Sequence, residues 1–187
     1  MIRKLPLVAL ALASAGLLRA QQPRIVLQGT ANATVHTELS TAIEAAQPGD
    51  KLYLSGGNFL LPGTYTIDKR LHFIGAGIHP DSSGVTGVTS ILTGGSYQDL
   101  QLTTNASGSS FTGIQFQTSG SVSYGTSVDD DDPTGMIFQR CEFMRGIYLG
   151  YAEGAKSSST FDECIFRGNS NRQFAGRGGQ AVVTRSI

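Results

Sequence analysis

Phe111-Thr-Gly-Ile114-Gln-Phe116, Phe138-Gln-Arg-Cys141-Glu-Phe143 and Phe161-Asp-Glu-Cys164-Ile-Phe166 share one form, Phe-x-x-(Ile or Cys)-x-Phe. Their leading phenylalanines lie 27 and 23 residues apart. A period of this size, built from short strands and small-residue turns, is that of a solenoid whose coils bury their apolar side only by stacking on neighbours. A right-handed parallel β-helix meets the description. In such a fold each strand pairs with its equivalent one coil on, at about 4.8 Å. The repeat therefore predicts three interior ladders: Phe111, Phe138 and Phe161; Ile114, Cys141 and Cys164; Phe116, Phe143 and Phe166. The alternative is an ordinary sandwich with three similar aromatic strands, which has no need of coil-length spacing.

Upstream of the repeat, Pro23 to Gly29 reads as a short strand. A helix is expected from Glu38 to Ala46, capped by Thr37, because Leu39, Ala42, Ile43 and Ala46 recur at helical spacing and Pro48-Gly49-Asp50 stops it. The periodicity then changes to two, in Leu52 and Leu54, Tyr65 and Ile67, Leu71 and Phe73. An amphipathic helix just before the first coil is placed to cover the open core that every solenoid exposes at its ends. Downstream, Gln180 to Ile187 reads as a strand in mid-coil with no Pro, helix or charge cluster beyond it. The expectation is an uncapped C-terminal edge, with self-association through it, in the N-terminal part of a longer β-helix domain running over residues 21–187.

Composition agrees with an all-β chain. Of 187 residues only 15 % are charged, whereas Gly, Ser and Thr supply 60, and Gly is well above its usual share of about 7 %. The 14 basic and 14 acidic residues balance, which gives no electrostatic case for nucleic acid or an anionic membrane. Residues 1–20 carry Arg3 and Lys4, an apolar run from Leu5 to Leu18, then Arg19-Ala20. This is the order of a secretory signal peptide. The run falls short of the roughly 20 residues that span a bilayer, so no membrane span is expected after its removal. Cleavage after Ala20 leaves 11 basic against 14 acidic residues and a secreted, periplasmic or bacterial cell-surface protein.

The stretch Leu39 to Gly57, with its Pro48-Gly49-Asp50 turn, followed by Gly63-Thr-Tyr65 and Leu71-His-Phe-Ile-Gly-Ala-Gly77, resembles the opening of pectin-lyase-like parallel β-helix proteins. The extension Gly75 to Asp81 is similar to that of bacterial secreted β-helix proteins of unassigned role. The resemblance implies a single-stranded right-handed parallel β-helix with an N-terminal amphipathic capping helix. It does not imply one activity, since the superfamily mixes lyases, hydrolases, esterases, adhesins and proteins without known chemistry. Its polysaccharide lyases use Ca²⁺ held by acidic residues plus a basic residue that removes a sugar proton.

No catalytic constellation announces itself here. Asp129, Asp130 and Asp132 belong to an acidic run between Tyr124 and Met136. They are the candidate Ca²⁺ ligands; the competing reading is a solvated, self-repelling loop, because consecutive Asp side chains converge on one ion only through a turn. His36, His72 and His79 have no ligand-like spacing. The surface columns carry the better prospect. If Cys141 and Phe143 point inward, Glu142 points outward, level with Gln115 and Ile165 on the adjacent coils. Gln117, Arg145 and Arg167 lie just beyond, and Tyr148 alternates outward between Ile147 and Leu149. Such a column on a flat parallel sheet can hydrogen-bond and stack on sugars, and it can equally serve only to solubilise the sheet. The expectation is a structural or carbohydrate-binding module for a polysaccharide or surface glycan. Its rivals are the N-terminal part of a polysaccharide lyase or another carbohydrate-active enzyme, and an adhesin-like passenger.

Overall fold

The computed structural model describes residues 22–79, 87–94, 99–124, 132–145, 147–149, 156–167, 174–175 and 179–187. The expected signal peptide and two of the three candidate calcium ligands, Asp129 and Asp130, lie outside these residues. Strands β1 (Ile25–Gln28) and β2 (Ala33–His36) form an antiparallel hairpin, and helix α1 (Leu39–Ala45) follows. The chain then winds. Its first coil is β3 (Lys51–Leu54), β4 (Gly57–Leu61) and β5 (Tyr65–Ile67). The second is β6 (His72–Ile74), β7 (Thr89–Thr93) and β8 (Leu100–Leu102). The third is β9 (Ser110–Thr112), β10 (Gln115–Gln117) and β11 (Val122–Tyr124). The fourth is β12 (Met136–Gln139), β13 (Glu142–Phe143) and β14 (Ile147–Tyr148). The fifth is β15 (Ser158–Asp162), β16 (Ile165–Phe166) and β17 (Phe174–Ala175), and β18 (Gln180–Thr184) runs on alongside β15.

Equivalent strands of successive coils pair in parallel and build three sheets, β18-β15-β12-β9-β6-β3, to which the hairpin adds β1 antiparallel to β3 and then β2, β16-β13-β10-β7-β4 and β17-β14-β11-β8-β5. This is a parallel β-solenoid. Its interior is set by the register. In the first sheet Leu52, Phe73, Phe111, Phe138, Phe161 and Val183 stand opposite one another in turn. Rings 73, 111, 138 and 161 stack at 4.7, 5.1 and 5.0 Å between centroids and within 7° of parallel. In the second sheet Phe59, Ile91, Phe116, Phe143 and Phe166 form the facing column. Its three lower rings stack at 5.0 and 5.2 Å. Between columns the rings meet edge to face, as Phe138 does with Phe143 at 5.4 Å and 66°. Both geometries are the favourable ones for the ring quadrupole. The predicted ladders are present, and the first begins one coil earlier than the repeat shows, at Phe73.

In the third, fourth and fifth coils a left-handed residue begins the turn from the first sheet into the second: Gly113, Arg140 and Glu163 have φ of 66°, 50° and 54°, and Arg185, which follows β18, has 48°. The amide of each of the first three donates to the carbonyl one coil on, Gly113 to Gln139 at 3.0 Å, Arg140 to Asp162 at 2.8 Å and Glu163 to Thr184 at 3.1 Å. These bonds hold a conformation that costs an L-residue roughly 1–2 kcal/mol. One coil earlier the constraint is space: a Cβ on Gly75 would lie 2.5 Å from the Gly113 carbonyl oxygen. The Gly75-Ala-Gly77 corner therefore requires glycine for close approach.

Helix α1 buries Leu39, Ala42 and Ile43 and packs on β1, β2 and β4. It begins one residue later than the periodicity suggests. Glu38 occupies the N-cap position without a side-chain cap bond, its carbonyl accepting from the Ala42 amide at 3.2 Å and the Thr41 hydroxyl at 2.9 Å. Thr37 thus lies outside the helix instead of capping it. At the other end the Lys69 ammonium donates to the carbonyls of Ile43 and Ala46 at 3.2 Å each and of Glu44 at 3.4 Å. A cation there satisfies orphan carbonyls and opposes the helix dipole. No described helix is long and apolar enough to cross a membrane. Among the described residues β18 pairs only with β15, and its Val182 and Val183 are 57 % and 45 % exposed.

Phe138 and Phe161 are fully buried, each stacked on the ring before it. Phe138→Ala and Phe161→Ala are each expected to destabilise by about 3–5 kcal/mol, the transfer loss plus an unfilled cavity. Denaturant unfolding reads this directly, and a loss under about 1 kcal/mol is incompatible with the register.

Candidate functional site

The outward side of the second sheet carries the column expected to meet a ligand. Ser90 on β7, Gln115 on β10, Glu142 on β13 and Ile165 on β16 occupy one register line. The Ser90 hydroxyl donates to Gln115 Oε1 at 2.9 Å, and Gln115 Nε2 donates to Glu142 Oε2 at 2.7 Å. The other carboxylate oxygen, Oε1, accepts from Arg167 Nε in an ion pair. The Gln117 amide donates to Gln115 Oε1 and, at 3.5 Å, to Ser90 Oγ. Gln115, Gln117, Glu142 and Arg167 are thus one connected set spanning three coils.

Glu142 points away from the core, as alternation requires, yet its side chain is only 6 % exposed whereas that of Arg167 is 59 % exposed. The neighbouring coils close over it: Gln115 from one side and Arg167 from the other replace water at both carboxylate oxygens. The column is therefore a bonded layer with Gln117 and Arg167 at its surface, not a row of independently solvated side chains. Such charge-assisted bonds are stronger than neutral ones and fix the geometry of the groups that remain accessible.

The other candidates lie elsewhere. Arg145 is exposed in the turn leaving β13, and Tyr148 is half-buried on β14 in the third sheet, opposite Ser123. Asp132 is half-buried just before β12. Among the described residues no three His, Cys, Asp or Glu side chains converge as metal ligands. His72 faces outward from the first sheet, its Nδ1 2.8 Å from Ser110 Oγ. Burial, then the nearby Arg70 and Lys51 charges, hold its pKa below the usual imidazole value. His36 pairs through Nε2 with Thr34 Oγ1 at 2.9 Å, in the N-terminal hairpin. Ser90 was not anticipated. Its signal in the sequence is the alternation Ser90-Ile91, which matches Gln115-Phe116 one coil later but carries no aromatic ring.

Cys141 and Cys164 stack at equivalent positions, and both are free, buried thiols. Cys141 Sγ donates to the Phe111 carbonyl at 3.3 Å, and Cys164 Sγ to the Phe138 carbonyl at 3.4 Å. Burial raises the pKa of Cys141 well above that of a free thiol. A thiolate nucleophile or ligand is therefore disfavoured there.

Comparison with protein-family models, with curated proteins and with solved structures returns no match.

Two outcomes follow from this geometry. Glu142→Ala removes the acceptor at the centre of the layer, leaves the half-buried Gln115 amide without it and should cost about 1–3 kcal/mol. Arg167→Ala, at an exposed position, should cost no more than about 1 kcal/mol. Equal losses in urea melts would show that Glu142 is solvated. For the thiols, alkylation of the denatured, unreduced protein should add a label to both Cys141 and Cys164 by mass spectrometry, and an unlabelled pair would mean a disulfide.

Proposed function

We propose that the chain is an exported β-helix module, akin to the pectin-lyase-like proteins, that holds a polysaccharide or surface glycan along its side and performs no chemistry of its own. The observation that carries this reading is the connected layer Ser90, Gln115, Glu142 and Arg167 with Gln117. Saccharides are recognised by arrays of fixed donors and acceptors, and affinity rises when those groups are ordered before the ligand arrives. Gln117 and Arg167 stand at the surface of a layer whose members already hold one another.

Glu142 supports the non-catalytic side of the proposal. A general acid or base must exchange a proton with the substrate, whereas both oxygens of this carboxylate are engaged by Gln115 and Arg167. Its role in this reading is to orient the guanidinium and the amides. Export rests on the charge, apolar and polar order of residues 1–20.

Affinity electrophoresis of the purified chain through gels containing neutral and acidic polysaccharides tests the proposal. At least one polysaccharide should retard it, and Gln117→Ala with Arg167→Ala should weaken retention about tenfold, or about 1.4 kcal/mol. New reducing ends or unsaturated sugars on prolonged incubation would favour an enzyme instead. Migration unaffected by every polysaccharide would refute the reading.

A further inference from the structure

The outer face of the first sheet carries a groove separate from the second-sheet layer. It is a shallow groove of about 520 Å³, open to solvent and lined by Ile137, Gln139, Thr160, Asp162, Thr184 and Arg185. Three coils build it. Ile137 stands opposite Thr160, and Gln139, Asp162 and Thr184 stand opposite one another in order. The Asp162 carboxylate accepts from Thr184 Oγ1 at 2.8 Å and from Arg185 Nη2 at 2.5 Å, and Gln139 lies opposite it on the neighbouring strand. Arg185 also reaches Glu163 through Nε at 3.5 Å.

Two features of this groove indicate a ligand class. Ile137 is 47 % exposed in the middle of a sheet face, so an apolar surface is presented beside polar groups held still by one another. Capacity also remains. A carboxylate offers about four acceptor positions and a guanidinium five donors, of which the contacts above use two and two. Among the lining residues the one cation, Arg185, is paired with the one anion, Asp162, so the groove favours neither an anion nor a cation.

We propose that this groove binds a neutral saccharide unit, with the C–H face of the ring on Ile137 and its hydroxyls on Gln139, Asp162 and Arg185. The inference rests on the reading of the chain as a saccharide binder, but it assigns a different face and a different set of atoms from the Gln117 and Arg167 surface.

Isothermal titration of the full chain with neutral gluco-, xylo- and manno-oligosaccharides, and with acidic oligosaccharides for comparison, separates the two. A neutral oligosaccharide should bind. Ile137→Ser and Asp162→Asn, each checked for unaltered circular dichroism and melting, should each raise its Kd at least tenfold, with Arg167→Ala raising it less than twofold. If neutral binding survives both groove variants, or only acidic oligosaccharides bind, the groove assignment is overturned while the saccharide reading stands. If neither class binds, both fall.

Discussion

Two phenylalanine rings stack face to face at about the separation that hydrogen-bonded strands impose on neighbouring residues, and this coincidence organises the molecule. In the first sheet four rings from Phe73 to Phe161 repeat at 4.7–5.1 Å. In the second, three rings from Phe116 to Phe166 repeat at 5.0–5.2 Å. A shift of one residue in any strand would carry its phenylalanine to the solvent side and leave a gap in the column. The stack therefore selects the register, and the register decides every other contact along the solenoid. Edge-to-face packing between the columns, such as Phe143 on Phe161 at 5.9 Å, ties the first two sheets together across the core.

What lies outside the core inherits this order. Because Phe116 and Phe143 are in register, Gln115 and Glu142 stand side by side and bond. Because Phe138 and Phe161 are in register, Gln139 and Asp162 stand side by side on the other face. The left-handed corner residues separate these two faces, and Arg140 and Glu163 accept backbone strain to keep each turn two residues long. Two polar surfaces on one solenoid thus follow from two interior columns. The helix is tied to the same scaffold through Lys69, which follows β5 in the chain and bonds the carbonyls that α1 leaves open.

The aromatic repeat made the solenoid and three of its interior columns legible, since ring, spacing and alternation all survive in the linear sequence. Phe73 escaped because 38 residues separate it from Phe111, and a long insertion hides a coil from any search for a fixed period. Glu142 shows a different limit. Alternation gives the direction of a side chain, whereas its exposure depends on what the adjacent coils lay over it, and Arg167 comes from 25 residues away. The first-sheet groove was invisible for a related reason: Ile137, Asp162 and Arg185 form a site only through register across three coils. Thr37 failed as a cap because the sequence offers two plausible starts one residue apart, and the carbonyl of Glu38 takes the first helical bond.

The central claim is that stacked rings couple one coil to the next. A double-mutant cycle on Phe111 and Phe138 with leucine replacements measures that coupling, with Phe73 and Phe138, two coils apart, as the reference pair. The account predicts an interaction energy of about 0.5–1.5 kcal/mol for the adjacent pair and a value near zero for the separated one. Strictly additive losses for Phe111 and Phe138 would contradict it, because the rings would then fill space without organising the coils.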